Sequence, residues 1–196
     1  GGLATPESEL NPAGYHITGT TSTYSITVSR GVKTHLILED VSISRADDCI
    51  KVSHTDTTIT LIGNNTLSCS GNEGTALAKN GMDGSLVITC ANADEPGHRC
   101  DASCGSLDVR GTAYHCGAIG NTVRDRATSG ESGFCNLTIR GGNITAQAGD
   151  HSPGIGVACW SEYKVSGAIF KNVTISGGNI KAYGGNCCAG LGAGGV

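Results

Sequence analysis

Aromatic residues are scarce in this chain, at 4% of the sequence, and it has a single Met and a single Trp. Lys and Arg number 13 against 17 Asp and Glu, and they are scattered without interleaved aromatics, so no nucleic-acid interface is predicted. No apolar run approaches the roughly 18 residues of a membrane helix, so no membrane span is predicted. The chain opens on GGLATPESEL, which lacks the apolar core of a signal peptide and fits a mature chain whose targeting segment is gone.

Glycine is abundant instead, with 31 residues, and it marks a repeat. FCNLTIRGGNITAQAGDHSPGIG (residues 134–156) aligns without gaps on FKNVTISGGNIKAYGGNCCAGLG (residues 170–192), at an offset of 170 − 134 = 36 residues. Each copy holds three short runs of alternating apolar and small polar residues, a strand pattern of period two. Self-similarity at a fixed period indicates a solenoid whose repeats bury their apolar sides against each other. We predict an all-β, right-handed parallel β-helix with three short strands per turn.

The organisation along the chain is predicted to be simple. Residues 1–14 form a Pro- and Gly-rich lead-in, and residues 15–196 form one β-helix domain. The first strand of successive turns is expected to start near residues 36, 59, 86, 137 and 173. The final GLGAGGV stops within a turn, so we expect further repeats in a longer parent protein, a cap, or another subunit at this end.

Ten cysteines beside one Met indicate an oxidising compartment, so a secreted or cell-surface protein is expected. Five disulfides would brace the solenoid, and residues 90–104 (CANADEPGHRCDASC) are predicted to be a disulfide-tied loop. No metal site is expected, because CxxC pairs are missing and neither Cys100-x3-Cys104 nor Cys187-Cys188 forms a four-ligand set. The candidates for the disulfides are Cys49, Cys69, Cys90, Cys100, Cys104, Cys116, Cys135, Cys159, Cys187 and Cys188.

Four asparagines lie in Asn-x-Ser/Thr sequons: Asn64, Asn136, Asn143 and Asn172. In a eukaryotic secreted protein each would be a glycosylation site. The favoured interpretation is structural, because asparagines at equivalent corners of stacked turns can hydrogen-bond one another as a ladder.

A pair of carboxylates gives a local match. Residues 46–51 (ADDCIK) resemble the DDC[IV] element of the polygalacturonase-type glycoside hydrolases, which are right-handed β-helices. The resemblance implies an inverting hydrolysis with Asp47 and Asp48 as general acid and base. The family's Asn-Thr-Asp, Gly-His-Gly and Arg-Ile-Lys motifs are missing here. The protein is therefore predicted not to be an enzyme, with Asp47 and Asp48 forming a turn.

A wider resemblance covers nearly the whole chain through the segments YHITGT, LILEDVSI, TTITLIGNNTLS, LTIRGGNITA and VTISGGNIKAYGG. They are similar to secreted β-helical surface proteins of Gram-positive anaerobes, the carbohydrate-binding-domain group of the pectate-lyase-like superfamily. The resemblance implies binding of acidic polysaccharide without cleavage. No cofactor would be required, and Ca²⁺ is the ion that it would allow.

The expected function is therefore a non-catalytic extracellular module for adhesion or polysaccharide binding, with a polysaccharide or cell-surface glycan as partner. One alternative is a structural subunit of an extracellular filament that self-associates head to tail. The other alternative is the polygalacturonase-like hydrolase. Candidate ligand-binding groups are stacking aromatics and carboxylates for hydroxyl or calcium contacts: Tyr114, Trp160, Tyr163, Tyr183, Asp125 and Asp150.

Overall fold

The regular structure is entirely β in the computed structural model, which describes residues 13–121, 133–158 and 169–193. Within these ranges no helix is long and apolar enough to cross a membrane. The described strands are β1 (Tyr15–Thr21), β2 (Ile26–Thr27), β3 (Lys33–Arg45), β4 (Ile50–Lys51), β5 (Asp56–Ile62), β6 (Asn64–Cys69), β7 (Thr75–Ala78), β8 (Ser85–Cys90), β9 (Ser106–Gly111), β10 (Gly117–Gly120), β11 (Gly133–Ile139), β12 (Asn143–Gln147), β13 (Ile155–Val157), β14 (Ile169–Ile175), β15 (Asn179–Tyr183) and β16 (Leu191–Ala193).

The chain coils through three faces, and strands of successive turns pair in parallel. The long β3 belongs to two faces, because its first half pairs with β5 and its second half with β6. The first face stacks β3, β5, β8, β11 and β14, and the second stacks β3, β6, β9, β12 and β15. The third face stacks β2, β4, β7, β10, β13 and β16. Three strands per turn confirm the predicted parallel β-helix.

The 36-residue repeat seen in the sequence equals the number of residues between stacked positions in the last turns. Asn143 pairs with Asn179 between β12 and β15, at an offset of 179 − 143 = 36 residues. Ile155 pairs in the same register with Ile119 below it and Leu191 above it. The alternation of side chains therefore places the same repeat position on the same face in each of these turns.

The earlier turns follow the prediction with one shift. Leu36 lies level with Ile59, as expected. Ile59, however, lies level with Ile88, and Leu86 lies level with Thr57. The strands predicted to start near residues 59 and 86 begin at Asp56 and Ser85, and residues 59 and 86 are two positions out of register with each other. A shift of two residues keeps every side chain on its face, so the inward positions were unaffected.

The core is a narrow column of aliphatic side chains, and Leu38, Ile59, Leu61 and Leu86 are fully buried in it. Thiols share this column, where Cys behaves as a small apolar side chain. Burial raises the pKa of the Cys49 thiol to about 12. Disulfide bracing is not shown among the cysteines of the described ranges, and Cys159 lies outside those ranges. Four of these cysteines are completely buried: Cys49, Cys69, Cys116 and Cys135.

Candidate functional site

One corner of the coil carries a loop much larger than its neighbours. β8 ends at Cys90 and β9 begins at Ser106, whereas a single residue, Gly63, separates β5 from β6 at the same corner one turn earlier. Backbone turns fold the loop back on itself, with the amide of His98 donating to the carbonyl of Glu95 at 3.0 Å. This loop, residues 90–104, is called the Cys/His loop below.

The Cys/His loop gathers four soft donor atoms. The Sγ atoms of Cys90, Cys100 and Cys104 and a ring nitrogen of His98 all lie within 4.8 Å of one another. His98 Nε2 lies 3.5 Å from Cys90 Sγ, 3.6 Å from Cys100 Sγ and 3.4 Å from Cys104 Sγ. The Sγ atoms of Cys90 and Cys100 are 3.7 Å apart. Cys90 is buried and the other three residues are half-buried.

The following turns hold the loop in place. The amide of Gly142 donates to Cys100 Sγ at 3.1 Å. Asn143 Nδ2 donates to the carbonyls of Asp101 and Cys104 at 2.7 and 3.0 Å. Asn179 Nδ2, one turn further on, donates to the carbonyl of Cys100 at 3.1 Å. The Gly-Gly-Asn element of the repeat is therefore the support of the Cys/His loop.

The glycines of that element are required by the contact. Gly142 has φ +99, a conformation that residues with a Cβ rarely adopt. A Cβ at Gly141 would lie 2.7 Å from Cys90 Sγ. The corner can therefore approach the thiols closely only because both positions lack a side chain.

The three thiols of the loop differ in acidity. Burial, followed by the neighbouring Cys100 thiol, raises the pKa of Cys90 to about 11. Burial also raises the pKa of Cys104. At Cys100 burial acts in the same direction, but hydrogen bonds from the Gly142 amide, His98 and the other thiols outweigh it and lower the pKa. Cys100 is thus the thiol of this set that ionises most readily.

The four-donor cluster corrects the expectation that the cysteines offer no four-ligand set. That expectation demanded closely spaced Cys pairs, whereas here a folded loop brings together the spacing Cys90-x7-His98-x-Cys100-x3-Cys104. His98 was missed as a donor altogether. The sequence feature that could have indicated the cluster is the local concentration of metal-ligand residues, since three Cys and one His fall within 104 − 90 + 1 = 15 residues of one polar segment.

A groove adjoins the Cys/His loop. It has a volume of about 570 Å³, and its walls come from the loop and from the corners of the next two turns. Two arginines, Arg99 and Arg140, line it, and Arg140 forms an ion pair with Asp94. The remaining lining residues are small or polar: Ala93, His98, Cys100, Ser176, Gly177, Gly178 and Asn179.

The asparagine ladder predicted from the sequence is confirmed. Asn172 Nδ2 donates to Asn136 Oδ1 at 2.9 Å, and Asn179 Nδ2 donates to Asn143 Oδ1 at 2.8 Å. The amide nitrogen of Asn136, which a glycan would modify, donates to the carbonyls of Met82 and Gly84. Asn143 uses its amide nitrogen on the Cys/His loop in the same way. Asn64 is exposed, and its Oδ1 accepts from Ser106 Oγ at 3.0 Å.

The carboxylate pair of the hydrolase resemblance is engaged in local structure. Asp48 Oδ1 accepts a hydrogen bond from the backbone amide of Thr75 in the next turn, at 2.8 Å. Asp47 Oδ2 lies 3.5 Å from a guanidinium nitrogen of Arg45. These contacts fit a corner that joins two turns, which was the structural interpretation of the pair.

The predicted ligand-binding residues fall into separate places. Tyr114 and Asp150 meet at His151: the rings of Tyr114 and His151 are 4.9 Å apart, and Asp150 Oδ2 lies 3.9 Å from His151 Nε2. Tyr114 and Tyr183 are about half exposed, with Tyr183 on β15. The structure therefore brings two of the candidates together at a corner away from the Cys/His loop. Trp160, Tyr163 and Asp125 lie outside the described residues.

Comparison with known proteins bears on the fold. A family model described as a beta helix repeat matches residues 137–156 and 173–195. These are two turns of a parallel β-helix. The match falls on most of each of the two aligned copies, in which Asn143 lies beside Asn179. No curated protein and no solved structure matches the chain.

Proposed function

We propose that this β-helix is a non-catalytic extracellular binding module and that it holds an acidic polysaccharide or cell-surface glycan in the groove beside the Cys/His loop. The observation that carries the proposal is that two arginines, Arg99 and Arg140, line one groove of about 570 Å³. Arginine presents a planar fork of donors that matches a carboxylate or sulfate. The volume lies within the range of about 300–1,000 Å³ that is typical of ligand sites.

The rest of the groove suits the uncharged parts of a sugar chain. Ser176 offers a hydroxyl group, and Asn179 offers its Oδ1 as an acceptor because its Nδ2 already donates to Cys100 and Asn143. Gly177 and Gly178 leave the backbone uncovered between them. The ion pair of Arg140 with Asp94 restrains the arginine before a ligand arrives. Restraint of this kind lowers the entropy cost of binding.

The carboxylates support binding over hydrolysis. Asp48 accepts a hydrogen bond from the Thr75 amide of the next turn, and Asp47 forms an ion pair with Arg45 within its own turn, so both carboxylates are engaged in local structure. An inverting hydrolase needs two carboxylates roughly 6.5–9.5 Å apart, so that a substrate and a water fit between them. The polygalacturonase-like hydrolase therefore ranks below the binding module.

The test is a glycan array that includes acidic and neutral polysaccharides, followed by titration calorimetry on the best acidic binder. We expect saturable binding that weakens with salt, because exposed charges are screened. Arg99→Ala and Arg140→Ala should each weaken binding about tenfold, the loss of roughly 1.4 kcal/mol. Arg110→Ala is the matched control, since Arg110 is also an exposed arginine in an ion pair, with Asp108, and lies outside the groove.

Two further arms separate the alternatives. Equal losses from Arg99→Ala and Arg110→Ala would place the ligand outside the groove, and loss from Tyr114→Ala alone would move it to the Tyr114 corner. Repeating the titration with a calcium chelator tests the ion that the resemblance allows. Light scattering on the same samples tests the filament alternative, which predicts particles that lengthen with protein concentration.

A further inference from the structure

We propose that the Cys/His loop is a structural zinc site in which Cys90, His98, Cys100 and Cys104 bind one Zn²⁺ ion. The proposal rests on the cluster itself and is independent of any ligand in the neighbouring groove. Three thiols and an imidazole are a donor set that structural zinc sites use, and zinc binds such sets as a tetrahedron. Soft sulfur ligands favour zinc over calcium or magnesium, which prefer oxygen.

The distances between the donor atoms match the edges of that tetrahedron. Zinc–sulfur bonds of about 2.3 Å and zinc–nitrogen bonds of about 2.05 Å place sulfurs about 3.8 Å apart and sulfur and nitrogen about 3.5 Å apart. The observed distances are 3.7 Å between Cys90 and Cys100, and 3.5, 3.6 and 3.4 Å from His98 to the three sulfurs. An ion at the centre would therefore fit, because four of the six edges of the tetrahedron have the expected length and all four donor atoms lie within 4.8 Å of one another.

A disulfide explains the cluster less well. A bridge between Cys90 and Cys100 would need their sulfurs about 2.05 Å apart, whereas they are separated by 3.7 Å. A bridge would also leave the third thiol, Cys104, without a role. It would not require His98 Nε2 to lie nearly equidistant from all three sulfurs, at 3.4 to 3.6 Å. A single ion at the centre accounts for all four residues.

The surroundings are those of a closed, structural site. All four positions of the tetrahedron come from the chain, so none is left for a reacting water, as a catalytic site would require. The Gly142 amide donates to the Cys100 sulfur, which stabilises a thiolate. Asn143 fixes the backbone carbonyls of Asp101 and Cys104, so it holds the segment that carries two of the ligands.

Binding exchanges protons for the metal. The three thiols must ionise and His98 must be neutral, so up to three protons pass to the solvent as three Zn–S bonds and one Zn–N bond form. No oxidant or reductant takes part in the exchange. The site should accordingly lose zinc as the pH falls and the thiolates are protonated.

The experiment uses the whole chain, purified under reducing conditions, stripped of metal at low pH, and titrated with Zn²⁺ and separately with Co²⁺. We expect one equivalent of zinc per chain by elemental analysis, with proton release. We also expect the sulfur-to-cobalt charge-transfer bands and the strong visible bands of a tetrahedral cobalt thiolate. His98→Ala and Cys104→Ser should lose the stoichiometric equivalent and change the cobalt spectrum. Cys187→Ser, which removes an exposed thiol outside the cluster, should retain both signals.

Circular dichroism shows whether each variant keeps its β structure. His98 lies on a half-exposed loop, so its replacement should leave the coil folded. Failure of the folded, reduced wild-type chain to take up one equivalent would overturn the proposal. A Cys90–Cys100 disulfide found by mass spectrometry in protein isolated without reductant would also overturn it, as would equal zinc uptake by wild type and Cys104→Ser. If elemental analysis found iron bound instead of zinc, the assignment of the metal as zinc would be wrong.

Discussion

The backbone amide of Gly142 donates a hydrogen bond to Cys100 Sγ across 3.1 Å, so one turn of the coil holds a thiol that the preceding turn supplies. The same corner contributes Asn143, which holds two carbonyls of the Cys/His loop. A loop that sequence alone predicted to be tied by disulfides is thus attached through the repeat itself. The supporting groups are a backbone amide and a side-chain amide, and the stacking of the turns of the β-helix fixes the positions of both.

Replacing Asn143 tests whether the repeat positions the metal ligands. Asn143→Ala removes both hydrogen bonds to the loop carbonyls, and we expect zinc affinity to fall about 10- to 100-fold, the range typical for outer-shell partners. Competition with a chromophoric chelator measures this. Asn136→Ala is the control, because Asn136 forms an equivalent asparagine pair, with Asn172, but its amide holds Met82 and Gly84 instead of the Cys/His loop. Equal effects of the two variants would contradict a positioning role.

Phe134 is predicted to contribute strongly to the folding stability of the later turns. Its side chain is completely buried and stacks on Phe170 with ring centroids 6.1 Å apart. Phe134→Ala should lower the free energy of unfolding by about 3–5 kcal/mol, because a large cavity forms in a closely packed core. Phe170→Ala should cost less, since Phe170 is only half-buried. Urea denaturation compares them, and a larger loss for Phe170→Ala would contradict the packing argument.

The buried Lys79 predicts a pH dependence of stability. Its side chain is completely buried, its Nζ donates to the carbonyl of Asp83 at 3.2 Å, and burial lowers its pKa below the usual 10.5. The unfolded chain then binds more protons between the lowered pKa and 10.5, so this lysine makes stability rise with pH in that interval.

Lys79→Met removes the titration while keeping most of the volume. The free energy of unfolding of wild type minus that of Lys79→Met should therefore increase as the pH rises through this interval, and stay constant below it. Urea denaturation at a series of pH values, with reductant present, measures the difference. A difference that decreases with pH would show that the ammonium is stabilised by its surroundings.

Asp48 separates the structural and hydrolytic interpretations of the carboxylate pair. Asp48→Asn weakens the acceptor of the Thr75 amide, so we expect a small loss of stability, about 0.5–1.5 kcal/mol. Reducing-end release from polygalacturonate should be absent in wild type and variant alike. Release by wild type that Asp48→Asn abolishes would restore the hydrolase.

Most of the fold could be predicted from the repeat, because a strand pattern with a fixed period leaves few alternatives to a parallel β-helix. Residues 134–156 and 170–192 stack as the alignment predicts. The alignment of Ile59 was less well determined, since turns of unequal length lack a common offset. The loop at residues 90–104 was predicted, but the meeting of its four donor atoms was not, because it depends on the path of an irregular segment. The asparagine ladder, by contrast, follows from periodicity and was predictable.

The 36-residue unit has a consequence for length. Asn143 pairs with Asn179, Ile119 with Ile155, and Ile155 with Leu191, each at an offset of 36 residues. The strands on the lower side of each of these turns therefore pair in the same way as those on its upper side. A duplicated unit inserted between the two copies would meet the surfaces that each copy already presents to the other. Such an insertion would lengthen the coil by one strand spacing, about 4.8 Å. Insertion or deletion of whole units is therefore expected to change the length of the coil in fixed steps while the existing strand pairings are reused.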